Sequence, residues 1–230
     1  PPPDTRRVPT ISEMVFKRLS KVQEAVDAKE YDVALQELQD MERMRGLNEY
    51  EIASMANMEA FVMYTQEDYA AAIRAYEKVI AQGEKIPRGL ELATLYSLSQ
   101  LYFVQEDFRK SIQYLDQWFE LNPAEPGPRP YVFKAQVLYS MEDYRAGIPV
   151  IETAMDKARQ AGQPVEENWW LLLRVFHYEL ENWGEVRNIL EVLVREFPKR
   201  EYWIQLAGVY GQEEMLEEQI GTMEAAYIQG

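Results

Sequence analysis

The hydrophobic positions of this chain recur at helical spacing around a short repeated motif. The motif is an acidic or amide residue followed by an aromatic residue, as in Glu30-Tyr31, Asp68-Tyr69, Asp107-Phe108, Asp143-Tyr144 and Asn182-Trp183. Residues that are either small or apolar follow the aromatic residue at offsets of three, seven and ten. Positions with these offsets lie on one face of an α-helix. A second amphipathic run precedes the motif. The pattern therefore predicts helical hairpins, with small residues where helices cross closely.

The copies of the motif are regularly spaced along the chain. Their aromatic residues lie 38, 39, 36 and 39 residues apart, and a period of about 20 to 50 residues is typical of repeat architectures. We expect the short polar residue of the motif to cap the second helix, because its side chain can accept a hydrogen bond from a free backbone N–H group. Six units are predicted, starting near residues 15, 53, 92, 128, 167 and 200.

The N-terminal region lacks the repeat pattern. Residues 1–9 contain four prolines and two arginines, and we interpret them as a disordered, Pro-rich lead. The spacing of Thr10-Ile-Ser-Glu13 matches a capping box, which predicts a first helix from Ile11 with Thr10 as its cap. Residues 10–230 are predicted to form a single solenoid. Because the sequence begins with Pro rather than Met, we expect that an export signal has been removed.

The third unit carries the pattern of a known repeat family. The residues at its signature offsets are Leu95, Leu98, Ser99, Tyr102, Phe108, Ser111, Leu115, Trp118 and Pro123. In these positions the chain resembles the tetratricopeptide repeat, and the resemblance extends over nearly all residues after residue 10. It implies an all-α, right-handed superhelical solenoid of about six helical hairpins, which acts as a protein-binding scaffold without enzymatic activity. The fifth unit departs from the pattern, because Arg174 replaces a small residue. There Trp170 is the expected packing residue and Trp169 is expected to be partly exposed.

Composition and charge exclude several kinds of chemistry. The chain has no cysteine and one histidine, His177, so neither a thiolate site nor a site with two histidines can form. We interpret His177 as a core residue. No phosphate-binding glycine loop or serine-hydrolase elbow is present, and we predict no catalytic residue, cofactor or metal ligand. The net charge of −15 disfavours nucleic acid and anionic membranes, and no apolar run is long enough to span a bilayer.

The resemblance places the partner-binding surface on the first helix of each hairpin, along the concave side of the solenoid. The side chains at these positions are mostly aromatic or amide, which suits an extended peptide with apolar or proline side chains. The predicted partner-binding residues are Phe16, Asn57, Phe61, Tyr64, Tyr96, Gln100, Phe103, Val132, Gln136, Tyr139, Leu171, Val175 and Tyr178. The alternative is that neighbouring helices cover some of these rings. With Arg129 as the one cation at such positions, capture of a C-terminal carboxylate is not expected.

The C-terminal region is strongly acidic. Residues 201–230 contain six acidic residues and no lysine or arginine. One interpretation is a soluble face that caps the end of the solenoid. The other is a docking face for a basic partner, whose binding would depend on salt. The sequence leaves both open.

Residues 95–103, 167–174 and 197–206, with the closing Glu224-Ala-Ala-Tyr227, resemble a narrower group of proteins. These are exported repeat proteins of Gram-negative bacteria, encoded beside the TonB, ExbB and ExbD energy-transduction proteins. The resemblance implies a periplasmic accessory of TonB-dependent outer-membrane transport, with a component of the TonB system as its partner. The alternatives are a general envelope adaptor in outer-membrane assembly or proteolysis, and a cytosolic adaptor. The oligomeric state does not follow from the sequence.

Overall fold

The computed structural model describes residues 6–122 and 124–228 of the chain. In these residues there are twelve α-helices, a short 3-10 turn at Gly83–Lys85, and no strand. The helices are α1 Glu13–Asp27, α2 Tyr31–Glu42, α3 Glu49–Thr65, α4 Tyr69–Ile80, α5 Arg88–Val104, α6 Phe108–Leu121, α7 Pro128–Ser140, α8 Tyr144–Gln160, α9 Glu167–Glu179, α10 Trp183–Glu196, α11 Arg200–Gln212 and α12 Leu216–Ile228. Successive helices pair as six hairpins, which confirms the all-α fold predicted from the repeat.

The chain folds as two compact units, residues 1–123 and residues 124–230. The first unit contains α1 to α6, and its buried residues form separate clusters around side chains such as Met41, Val79 and Leu98. The second unit contains α7 to α12, and its core is one cluster that includes Ile151 and Phe176. The single solenoid expected over residues 10–230 stays a prediction.

The predicted lead lies partly outside the described residues. Residues 1–5 are outside them, as is Pro123 of the third repeat signature. Residues 6–12 have no helical structure. Arg6 is nevertheless held against the first unit, because its guanidinium forms an ion pair with Glu91 at 2.7 Å.

The first helix begins two residues later than predicted. Its cap is Ser12, whose hydroxyl accepts a hydrogen bond from the Val15 N–H at 3.5 Å. The predictions of Thr10 as the cap and of a start at Ile11 are therefore wrong. Thr10 contributes its carbonyl instead, which accepts a hydrogen bond from the side chain of Asn48 at 2.9 Å.

Glu51 explains why Ser12 is selected as the cap. This carboxylate is buried in α3 and accepts hydrogen bonds from the Ser12 hydroxyl at 2.6 Å and from the Asn48 N–H at 2.9 Å. Burial opposes its ionisation, but the hydrogen bonds from Ser12 and Asn48 outweigh burial and lower the pKa of Glu51. One charged group thus completes the capping box of α3 and fixes the start of α1.

A residue in the left-handed conformation closes the first helix of each hairpin. The six residues, all with φ between 55° and 62°, are Lys29, Glu67, Glu106, Glu142, Glu181 and Glu214. In the second hairpin the N–H of Glu67 donates to the Tyr64 carbonyl, and the N–H of Asp68 donates to the Met63 carbonyl. This pair of bonds is a Schellman motif. It makes the turn between paired helices short and uniform.

The motif carboxylate caps the second helix in three hairpins. The backbone N–H groups of Ala71, Lys110 and Ala146 donate to Asp68, Asp107 and Asp143 at 2.9, 3.1 and 3.2 Å. Glu30 and Asn182 occupy the same position but make no side-chain capping bond. The Asn182 amide instead lies 3.2 Å from Nδ1 of His177. His177 is buried, as predicted.

Small residues allow close helix packing at the predicted offset. Ala34, Ala72 and Ser111 are fully buried, and the Ser111 hydroxyl donates to the Ser99 carbonyl at 2.7 Å. Gly147 has the least space, since a Cβ atom there would lie 2.4 Å from Cζ of Phe176. Phe176 is itself completely buried, so its ring cannot move aside.

The capping bonds predict a difference between two positions of the same motif. Asp107→Ala removes a capping bond and should lower the free energy of unfolding by about 1 kcal/mol. Glu30→Ala is the control, because Glu30 makes no capping bond, and it should change stability by less than about 0.5 kcal/mol. Urea denaturation measures both. Equal losses would show that the side-chain cap is not the source of stability.

Gly147 predicts a substitution whose effect depends on the neighbouring ring. Gly147→Ala should destabilise the protein by about 1–3 kcal/mol, because the added methyl group collides with Phe176. Gly184→Ala is the matched control: nothing lies within 4 Å of its added Cβ, and it should stabilise α10 by about 0.5–1 kcal/mol. The two melting temperatures should therefore move in opposite directions, and a rise for both would contradict the packing described here.

Candidate partner-binding site

The second unit contains an open groove between α7, α9 and α11. Its volume is about 540 Å³, and we call it the α7–α9–α11 groove. Helices α7, α9 and α11 contribute tyrosine, amide and charged side chains to its lining, and α10 contributes Trp183, Val186 and Leu190. The lining residues are Tyr139, Arg174, Val175, Tyr178, Glu179, Trp183, Val186, Leu190, Gln205, Gly208, Val209 and Gln212.

The tyrosines of this groove are supported by the aromatic residues of the repeated motif. Tyr178 is 54% exposed and packs against Trp183 in a T-shaped arrangement, with 5.2 Å between ring centroids. Tyr139 is 43% exposed and lies 6.1 Å from the Tyr144 ring. Such aromatic pairs contribute about 0.5–1.5 kcal/mol each. Both rings are thus held in place while one side stays open to solvent.

The same support recurs in the first unit. In each case the ring on the first helix lies five residues before the motif ring, across the hairpin turn. The pairs are Tyr64 with Tyr69 at 5.8 Å and Phe103 with Phe108 at 5.5 Å. The motif therefore has a second task that the sequence did not reveal: it orients a ring on the preceding helix.

Arg174 gives the groove a cation. The residue is partly buried, and within residues 6–122 and 124–228 it forms no ion pair or hydrogen bond with a side chain. Desolvation lowers the pKa of its guanidinium, and Glu201, Tyr202 and Tyr178 offset only part of that effect. A partly desolvated cation that forms no ion pair is suited to an anionic group on a ligand.

The first unit has its own groove, between α1, α3 and the start of α5. It encloses about 450 Å³ and is lined mainly by apolar and small polar side chains. Phe16 and Asn57 lie in it, together with Gln23, Tyr50 and Ser54. It contains no charged side chain among its described lining residues, unlike the α7–α9–α11 groove.

The structure brings together only some of the predicted partner-binding residues. Phe16 and Asn57 share the first groove, and Tyr139, Val175 and Tyr178 share the second. Outside these two grooves, the exposed residues are Phe61, Tyr64, Gln100 and Gln136, and the partly buried ones are Tyr96, Phe103 and Leu171. The Tyr96 ring packs 5.2 Å from the Trp118 ring.

Three positions differ from the sequence-based expectation. Val132 is 8% exposed and belongs to the core of the second unit, so it does not offer an open binding surface. Trp169 is buried in the same core, whereas Trp170 is the partly exposed residue and lies 5.7 Å from the Arg159 guanidinium. The roles of the two tryptophans are the reverse of those predicted, because Trp169 lies on the same helix face as the buried Leu173 and Phe176.

Sequence reasoning missed the contribution of α11. Gln205, Gly208 and Gln212 line the α7–α9–α11 groove, but no residue of the sixth unit was predicted to bind a partner. Their spacing of three and four residues places them on one face of the helix. That periodicity was the available signal. Gly208 adds a stretch of groove wall without a side chain.

The most perturbed titratable groups bridge helices. The Tyr102 hydroxyl of α5 donates to Glu77 of α4 at 2.6 Å, and the Tyr114 hydroxyl of α6 donates to the same oxygen at 3.4 Å. Burial, helped by the Glu77 charge, raises the pKa of Tyr114 to about 12. No group of three or more acidic or histidine side chains in the described part of the chain could hold a metal ion. None of the described helices is long and apolar enough to cross a bilayer.

Comparison with known proteins identifies the fold. No family model matches the sequence, and no curated protein matches it. Among solved structures, a tetratricopeptide repeat protein from Parabacteroides merdae gives a TM-score of 0.62 at 14% identity, covering 95% of this chain and 81% of that one. A MamA protein gives a TM-score of 0.61 at 16% identity, covering 78% of this chain and 92% of that one.

A third similar structure is YrrB, described as a TPR protein with an unusual peptide-binding site. Its TM-score is 0.57 at 11% identity, covering 78% of this chain and 84% of that one. At identities this low the likeness shows the fold alone. The chain therefore has the fold of tetratricopeptide repeat proteins, as its repeated pattern predicted.

The environment of Arg174 predicts that stability does not depend on this residue. Arg174→Met should leave the free energy of unfolding unchanged or raise it by as much as about 1 kcal/mol, because a desolvated cation without a partner is replaced by an apolar chain. Arg187→Met is the matched control. Arg187 pairs with Glu213 at 2.7 Å, so its loss should cost about 1 kcal/mol. Thermal denaturation compares the two; a larger loss at Arg174 would mean that it has a structural role.

Proposed function

We propose that this protein is a non-enzymatic scaffold that binds an extended segment of another protein in the α7–α9–α11 groove. The main support is the combination of Tyr139, Tyr178 and Arg174 on one open surface. Two rings are held by neighbouring rings yet exposed, and the cation beside them forms no ion pair or side-chain hydrogen bond with a described residue. Side chains that are ordered but unsatisfied are those that gain most from a ligand.

The groove chemistry defines the kind of segment. Tyrosine rings provide large contact areas at a low entropic cost, and they suit proline or other apolar side chains. The amides of Gln205 and Gln212 can hydrogen-bond to the backbone of an extended peptide, which has no internal partners. Arg174 adds a preference for an acidic side chain next to the apolar one.

The fold supports this proposal. The YrrB structure shares the fold and is described as having a peptide-binding site. A repeat fold with this type of groove uses its surface to hold other polypeptides. The groove tyrosines of the present chain are its own feature, and the proposal depends on them.

We further propose that the partner belongs to the TonB system and that the protein acts in the periplasm, as an accessory of TonB-dependent outer-membrane transport. The support is the resemblance of residues 95–103, 167–174 and 197–206 to exported repeat proteins encoded beside TonB. The proline-rich region of TonB has the extended, apolar character that the groove fits. Residues 167–174 include Arg174 itself, so the resemblance reaches the groove.

The test uses calorimetry to measure how tightly peptides from the proline-rich region of TonB bind to the full chain. Tyr139→Ala with Tyr178→Ala should weaken binding at least about tenfold, since each ring in such a contact contributes about 1 kcal/mol or more. Tyr64→Ala is the control. Tyr64 is equally exposed and packs on a motif ring in the same way, but it lies in the first unit outside both grooves.

Arg174→Met separates the charge from the rings. It should lower the affinity for a peptide that carries an acidic residue next to proline by about tenfold. The affinity for the same peptide with glutamine at that position should not change. If Tyr64→Ala abolishes binding and the Tyr139→Ala, Tyr178→Ala double variant does not, the α7–α9–α11 groove is not the binding site. If TonB peptides fail but other proline-containing acidic peptides show the predicted pattern, the groove is retained and the TonB assignment is wrong.

A further inference from the structure

The last helix, α12, exposes a stripe of apolar side chains. Leu216, Ile220, Met223 and Tyr227 are 65%, 60%, 54% and 84% exposed. Their spacing of four, three and four residues places them on one face of the helix. On an adjacent side, Thr222 and Ala226 are buried in the second unit. The stripe is thus a separate face, which no described residue covers.

Two of the four corresponding positions in the preceding hairpin are buried. Aligning the motif positions places Leu216 over Trp183, Ile220 over Arg187, Met223 over Leu190 and Tyr227 over Val194. Leu190 and Val194 are 1% and 7% exposed, and α11 packs against the helix that carries them. The repeat therefore builds on α12 the surface that elsewhere accepts the next helix. An exposed apolar face of this kind marks an interaction site.

Charge indicates what kind of helix fits this face. With about 100° of rotation per residue, Glu217 and Glu224 lie along one border of the stripe, and Glu218 lies beyond them. Within the described residues none of the three forms an ion pair, whereas Glu213 is paired with Arg187. Residues 201–230 contain no lysine or arginine. The face is therefore apolar with one acidic border.

We infer that α12 is a docking site for an amphipathic helix of another protein whose apolar stripe is bordered by lysine or arginine. Apolar contact supplies the affinity, and the charges on the border select the partner and its orientation. A second copy of this chain fits less well. Two antiparallel α12 helices related by a two-fold axis would bring Glu217 and Glu224 of each copy to the same side, against like charges. This site is separate from the α7–α9–α11 groove and does not depend on the proposed function.

The test uses two short helical peptides that share a leucine stripe and differ only at the border. One carries lysines there and the other carries glutamates. The full chain should bind the lysine peptide at least about tenfold more tightly at low salt, and the difference should shrink near about 0.5 M NaCl. Fluorescence anisotropy measures both affinities. Equal affinities would overturn the inference, because generic apolar contact would then explain the binding.

Variants locate the binding on α12. The double variant Ile220→Ser, Met223→Ser should bind the lysine peptide at least about tenfold more weakly, because two apolar contacts are removed. The control is Met14→Ser with Val33→Ser, which changes two residues of similar exposure in the first hairpin and should leave the affinity unchanged. All four residues are more than half exposed, so both variants should fold. Circular dichroism checks this.

Two further measurements separate the competing explanations. The double variant Glu217→Gln, Glu224→Gln should bind the lysine peptide about threefold to tenfold more weakly at low salt. At high salt its affinity should be nearly unchanged. Tyr178→Ala should have no effect, since it lies in the other site. Two further results would also overturn the inference. One is unchanged affinity in the Ile220 and Met223 double variant. The other is a dimer in sedimentation that the same variant abolishes, which would assign the face to a second copy.

Discussion

The structure depends on one repeated constraint, the hairpin turn closed by a residue in the left-handed conformation. In the second hairpin Glu67 adopts this conformation, Asp68 caps the next helix, and Tyr69 then packs on Tyr64. A non-glycine residue in this conformation costs about 1 kcal/mol, which the Schellman bonds and the ring contact offset. The turn thus sets the helix pairing and also orients the ring that a ligand can contact.

Much of the fold could be predicted from the sequence, because hydrophobic period and motif spacing are local signals. The hairpins that contain Asp107 and Asp143 match the expectation closely, and the second and third units begin only four residues earlier than predicted. Other features depend on distant partners. Ser12 replaces Thr10 as a cap because Glu51 reaches it from the next hairpin. No local pattern carries that contact.

The candidate site was predicted less completely, for a related reason. Periodicity identifies the first helices but not which of their residues a neighbouring helix covers, so Val132 was assigned to the surface although it is buried. Arg174 was recognised as a departure from the repeat pattern. Its role in the groove could be inferred only from the structure, which places the cation beside Tyr178 without an ion pair among the described residues. Departures from a repeat are thus informative once their neighbours are known.

The most direct measurement of the central claim is site-specific photocrosslinking in the cells that produce this protein. A photoreactive residue at Gln205 lies in the α7–α9–α11 groove, and one at Glu152 lies on α8, outside it. Both positions are exposed. The account predicts a discrete crosslinked polypeptide from position 205 that is lost when Tyr139 and Tyr178 are changed to alanine, and none from position 152. Crosslinks from position 152 alone, or a product from 205 that persists without the tyrosines, would contradict it.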